Sequence, residues 1–317
     1  MKMKSIVTFA LAGIGIIFTA GIYDATATAA QALEFDKPLN ELTARDVRDA
    51  VEAELGDSRT SMSSEDVEAR VAEAIDQVVA DLRKPEEPPY RDWSFEGPFG
   101  TFDRAALQRG YQVYREICSS CHSMKYLAFR NLSDEGGPEF SPEAVKALAA
   151  EFTVVDGPDE FGDMYDRPGK PFDHFPAPYE NDNQGRAANG GALPPDLSLI
   201  VKAREHGPDY IYALLTGYGH DVPPLFKAQE GLNYNPYFPG RQLAMPQQLF
   251  DGVIEYTDGT EATAGQLAYD VVQFLSWAAE PKMEDRKALA KPVLIYLLIL
   301  IVLLYASYKR IWRDVEH

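Results

Sequence analysis

The chain has 317 residues, with 49 Asp and Glu against 30 Lys and Arg, a formal net charge of −19 and only two cysteines. Acidity of this size repels nucleic acid and attracts basic proteins, while two cysteines are too few for a disulfide framework or a four-cysteine zinc site. The length is compatible with about two domains, and the 45% hydrophobic content is that of a globular protein with an ample core.

Lys2 and Lys4 precede an apolar stretch from Ile6 to about Ala20, followed by small residues at Ala25, Ala27, Ala29, Ala30 and Ala32. This is the layout of a cleavable secretory signal, expected over residues 1–32, with the mature chain beginning near Gln31 or Leu33. The apolar run is short for an uncleaved anchor.

Residues 33–90 are predicted to be an acidic helical extension and linker. Leu42-Thr43-Ala44-Arg45-Asp46-Val47, followed by Val51 and Leu55, recurs as Met62-Ser63-Ser64-Glu65-Asp66-Val67, followed by Val71 and Ile75. In each copy a Thr or Ser stands three residues before an Asp, as in a capping box, with an apolar residue before it that can staple to the valine after it. Val67, Val71, Ile75, Val78 and Leu82 continue at helical spacing. Two amphipathic helices joined at Gly56-Asp57-Ser58-Arg59 form a helical hairpin, and Lys84-Pro85-Glu86-Glu87-Pro88-Pro89 reads as a stiff linker.

A second domain is expected over 91–285. Asp103 can cap a helix through Leu107, Tyr111, Tyr114 and Ile117, which runs into Cys118-Ser119-Ser120-Cys121-His122. Two cysteines three apart with a histidine after the second fit covalent attachment of one haem c, each thiol forming a thioether and the histidine supplying an axial nitrogen. A thioredoxin-like redox pair does not need the histidine, and zinc would need ligands the chain lacks. Further helices are expected from Ser141 through Leu148, within Leu197–Gly217, and from Thr263 through Ala278. Gly157–Pro195 and Gly219–Met245 read as irregular stretches rich in Pro and Gly that a large prosthetic group can order. The fold class is therefore mainly α, with long irregular loops.

Val293 to Ala306 is unbroken apolar sequence. Extended to 286–309, it reaches the ~20 residues that cross a bilayer, with Lys291 snorkelling. Lys309, Arg310 and Arg313 follow, which marks the tail 310–317 as cytoplasmic and the haem domain as periplasmic, on a single-pass inner-membrane protein.

An electron-transfer haem needs a sixth ligand. Met245, before Pro246, sits on backbone biased to be extended, suited to a loop across a haem face. Met124 lies too close to the attachment site, Met164 sits among acids and Met283 abuts the membrane. His174, His206 and His220 remain as outside candidates.

Arg109 to Met124 resembles the haem-binding segment of the cytochrome c1 family, the membrane-anchored haem subunits of the cytochrome bc1 complex, in its alphaproteobacterial form. Arg167-Pro168-Gly169-Lys170, Asn189 to Ser198, Leu214 to Tyr218, Asn233 to Gly240 and Trp277 to Pro281 match in the same order. The resemblance implies His122 and Met245 as iron ligands, Arg204 and Tyr210 as haem-propionate contacts, and Asn189, Pro194 and Pro195 as a haem-lining loop. It further implies electron transfer from the Rieske iron–sulfur subunit to cytochrome c, a cytochrome b partner and a dimeric complex. The chain is then an electron-transfer subunit of ubiquinol–cytochrome c reductase and not an enzyme by itself. Some bacterial members brace a haem-domain loop with an extra cysteine pair, which this chain lacks. A stand-alone membrane-anchored c-type cytochrome and a periplasmic thiol–disulfide oxidoreductase are the alternatives.

Overall fold

The computed structural model describes residues 5–8, 32–35 and 37–314; the expected signal segment 1–32 otherwise lies outside the described residues. In chain order the elements are strands β1 (Ser5–Thr8) and β2 (Ala32–Phe35), helices α1 (Ala44–Leu55), α2 (Ser64–Leu82), α3 (Arg104–Glu116) and α4 (Pro142–Ala150), and strands β3 (Thr153–Asp156) and β4 (Tyr165–Pro168). Helices α5 (Asp182–Ala188) and α6 (Gly207–Thr216), strands β5 (Asn233–Tyr234) and β6 (Gln242–Leu243), and helices α7 (Ala264–Ala279) and α8 (Met283–Ile311) complete the described chain. The strands form three separate antiparallel pairs, so the architecture is mainly helical.

The chain divides into two compact units, one running up to Glu87 and including Gly217–Pro246, the other comprising Pro88–Thr216 and the residues from Gln247 on. In the first, both helices start as the repeat predicts. The Thr43 hydroxyl accepts from the Asp46 amide while Asp46 accepts from the Thr43 amide at 2.8 Å, and the Ser63 hydroxyl accepts from the Asp66 amide at 3.1 Å. Val47, Val51 and Leu55 of α1 bury against Val67, Val71, Ala74, Val78 and Leu82 of α2. Arg48 spans the pair with two bonds to Glu68, at 2.6 and 2.8 Å.

This small core is completed by Phe226, with Tyr234 packed against it. The stretch 217–246, read from sequence as part of a continuous 91–285 domain, thus packs with the N-terminal hairpin. Residues at the start of the stretch read as a stiff linker are tied to it as well. The Arg83 carbonyl accepts from the Gly240 amide (3.1 Å), the Lys84 carbonyl from Arg241 Nε (2.7 Å), and the Glu86 amide donates to the Pro236 carbonyl (2.8 Å).

The second unit is organised on the crossing of α3 and α7. Gly110 makes the close approach possible, because a Cβ there would lie 2.0 Å from the Asp270 carbonyl oxygen and 2.7 Å from Phe274 Cβ. Around the crossing Tyr111, Tyr114, Phe175, Phe274 and Trp277 pack edge-to-face, tilted or, for Tyr114 on Phe175, stacked. Arg109 of α3 pairs with the fully buried Asp270 of α7 at 2.9 and 3.0 Å and with Asp258 at 2.9 Å, so the buried carboxylate is matched. The Gly157–Pro195 stretch read as irregular contains α5 and strand β4, which pairs with β3 just before it, elements too short to show a period. Helix α8, at 29 residues, is long and apolar enough to cross a membrane.

Candidate functional site

Asp103 caps α3, accepting from the Ala105 and Ala106 amides, and the helix presents Leu107, Tyr111, Val113 and Tyr114 to the core. Its C-terminal end passes directly into the Cys-Ser-Ser-Cys-His turn, where the Cys118 carbonyl accepts from the amides of Cys121 (3.1 Å) and His122 (2.9 Å). The two intervening serines close the helix end, Ser119 donating to the Arg115 carbonyl and Ser120 to the Ile117 carbonyl, which satisfies acceptors a helix terminus leaves open. Both cysteines are unpaired and half-buried. Burial pushes the Cys118 thiol up to about 12, the opposite of a reactive redox cysteine.

His122 Nδ1 lies 2.8 Å from the carbonyl oxygen of Pro195. A proline carbonyl can only accept, so Nδ1 carries the proton and Nε2 keeps its lone pair, the tautomer a metal requires. Burial also lowers the imidazole pKa, which keeps the ring neutral. The donor set, two thiols in a turn followed by an imidazole with Nε2 left for iron, fits a covalently attached haem.

The loop that supplies Pro195 is laced to the motif. Asp196 accepts from the Ser123 hydroxyl (2.8 Å), the Lys125 amide (2.9 Å) and the Ser198 amide (2.9 Å). The fully buried Ser198 accepts from the Tyr126 amide (3.1 Å), and the Leu197 amide donates to the Ser123 carbonyl (2.8 Å). Burial raises the Asp196 pKa, but the bonds from Ser198, Lys125 and Ser123 outweigh it and hold the carboxyl below its ordinary value. Asp196 and Ser198 carry no role in the sequence reading. Their signal is an Asp two residues before a Ser, a local turn whose long-range partners no spacing reveals.

Beyond Pro195 a cleft of about 350 Å³ is lined by Lys125, Tyr126, Asp196, Ile200, Ala203 and Arg204 among others. Its volume is in the range of ligand sites. Arg204 lies beside the Tyr210 hydroxyl; burial pushes that hydroxyl up and the guanidinium partly offsets it. The second unit thus brings Cys118, Cys121, His122, Pro194, Pro195, Arg204 and Tyr210 into one region of the chain's fold. The Asn189 amide is engaged locally, donating to Tyr179 Oη (3.0 Å) and the Gly185 carbonyl (2.7 Å).

Met245 belongs to the first unit, just past β6. Its carbonyl accepts from the Tyr218 hydroxyl at 2.8 Å and from the Asn233 amide at 3.4 Å, which pins the backbone through the main chain and leaves the thioether uncommitted to that bonding. His174, His206 and His220 are all exposed.

A family model described as the Cytochrome C1 family matches residues 93–315. A cytochrome c1 of Rhodospirillum rubrum is 49% identical over 242 residues, covering 72% of this chain and 88% of that relative. A mitochondrial cytochrome c1 heme protein of Saccharomyces cerevisiae is 50% identical over 228 residues, 72% of this chain and 73% of its own length. A cytochrome b/c1 of Bradyrhizobium diazoefficiens is 48% identical over 247 residues, 72% of this chain but only 36% of that longer protein.

Proposed function

The chain belongs to the cytochrome c1 family, and on that premise we propose that it is the electron-transfer subunit of a cytochrome bc1 complex. It accepts single electrons from the Rieske iron–sulfur protein and passes them to a cytochrome c. When bound, one haem c attached at Cys118 and Cys121 supplies the one-electron iron couple. The observation that carries the reading is the proton held on His122 Nδ1 by Pro195, directly after two unpaired thiols.

In this reading His122 Nε2 and the Met245 thioether would hold the iron, a donor pair that favours a higher potential than two histidines. Arg204 and Tyr210 would take the propionates, a charge and a hydroxyl suited to carboxylates. Asn189, Pro194 and Pro195 would belong to the loop that lines the haem. Quinol oxidation falls to the cytochrome b and Rieske subunits, so this chain is not an enzyme by itself. Helix α8 anchors it, with Lys309, Arg310 and Arg313 on the cytoplasmic side and the haem domain in the periplasm, within a dimeric complex.

The test is the haem content of the protein purified from membranes in mild detergent, together with the redox potential of Met245→His. Covalent haem c accompanied by b-type haem, with the potential lowered in the variant, is expected. Covalent haem c without b-type haem would favour a stand-alone cytochrome, and an unchanged potential would remove Met245 from the iron.

A further inference from the structure

We propose that the loop 95–101 is a membrane-surface anchor, with the Phe99 ring inserted among lipid headgroups at the boundary of the bilayer that α8 crosses. The inference rests on reading α8 as a transmembrane helix.

The loop is closed on itself by bonds from the Glu96 amide to the Trp93 carbonyl and from the Thr101 amide to the Ser94 carbonyl, both 3.0 Å. It is tight enough that a Cβ on Gly100 would fall 1.9 Å from the Glu96 carbonyl oxygen. Its base is fixed by Trp93, which is 2% exposed and stacks on Tyr269 of α7 at 5.2 Å between ring centroids. The loop is therefore a rigid mount.

That mount is fastened to the first turns of α8. Lys287 Nζ donates to the carbonyls of Phe95 (2.6 Å) and Gly100 (2.9 Å). The Glu284 carboxylate accepts from the Phe102 amide (2.8 Å) and from Arg104 through two bonds (2.8 and 2.7 Å). One turn further along, Lys291 Nζ stands 5.0 Å from the centroid of the Phe99 ring, which is 78% exposed.

Depth follows from helix geometry. Within the expected segment 286–309, the 21 residues 288–308 span roughly 31 Å at the α-helical rise, about the thickness of a hydrocarbon core. Lys291 then lies only ~5 Å inside the boundary, and a lysine there keeps its ammonium at headgroup level by turning its chain back. The place to which that ammonium returns is the face of Phe99. An exposed aromatic ring held rigidly at that level fits the lipid interface, where its apolar face leaves water and its π-face retains the cation.

The experiment uses Phe99→Cys in the full-length chain, purified in its membrane complex and reconstituted in phosphatidylcholine vesicles. With both native thiols consumed by haem, the new cysteine takes a nitroxide label, and the unmutated protein is the blank. Relaxation by oxygen, which concentrates in lipid, is compared with relaxation by a water-soluble nickel chelate. The expected oxygen-to-nickel accessibility ratio is several-fold above that of the free label in buffer and below that of Leu297→Cys in mid-helix. A ratio equal to the free label, or shielding from both relaxants by a covering protein, would overturn the anchor. Leu297→Cys with an aqueous ratio would instead overturn the transmembrane reading on which it depends.

Discussion

The Asp196 carboxylate accepts the Ser123 hydroxyl at 2.8 Å, tying the residue after Pro195 to the residue after His122. With the Lys125 and Ser198 amides on the same carboxylate, this holds the Pro195 carbonyl where it fixes the His122 tautomer. Asp196 is a positioning residue. Asp196→Ala leaves three donors without their acceptor, at roughly 1–3 kcal/mol for each one kept from water. We expect a lower melting temperature and a shifted haem potential, with Asp196→Asn restoring part of both. A change in melting with no change in potential would restrict Asp196 to folding.

Gly110→Ala addresses the α3–α7 crossing. A methyl group 2.0 Å from the Asp270 carbonyl forces the helices apart, and overpacking of this kind costs about 1–3 kcal/mol or more. The expected result is a loss of roughly 2–12 °C in melting temperature for a domain of this size, measured by thermal denaturation of the purified protein. Tolerance of alanine would mean that the two helices do not meet as described.

Asp258 gives a pH signature. The Thr260 amide and hydroxyl and then Arg109 hold its carboxyl down to about 2. A depressed carboxyl contributes stability that is fully present above its unfolded value of about 3.9 and is lost as pH falls from there through its folded value. The difference in melting temperature between the parent and Asp258→Asn should therefore be constant near neutrality and close up between about pH 4 and pH 2. Because Asp258 is 44% exposed, the effect is small, under about 1 kcal/mol. A difference that does not vary with pH would contradict it.

Under the proposed function, the acidic face of the hairpin would attract a basic redox partner. Deleting the hairpin would also remove the core on which Phe226 and Tyr234 rest, in the stretch that carries Met245. Neutralising exposed Glu65, Glu73 and Asp76 of α2 separates charge from folding. The expected outcome is a slower association rate with cytochrome c at low salt and a shallower salt dependence, by stopped flow. An unchanged salt slope would show that these charges do not steer.

Much of this architecture was legible in the sequence because its signals are local. The Thr43–Asp46 and Ser63–Asp66 caps, the Asp103 and Thr263 helix starts, the haem motif and the apolar run of α8 each declare themselves within a few residues. What stayed hidden is non-local or too short to be periodic. Phe226 belongs to a core whose other members lie more than a hundred residues earlier, α5 has only seven residues, and Asp196 and Ser198 act through partners about seventy residues away.

The most direct test of the central claim is to follow the covalent haem in the purified complex by stopped-flow spectroscopy after mixing with a quinol, then with oxidised cytochrome c. The account predicts that quinol reduces this haem, that cytochrome c reoxidises it within turnover, and that Met245→His slows the cycle. A covalent haem that stays oxidised while the complex reduces cytochrome c would contradict it.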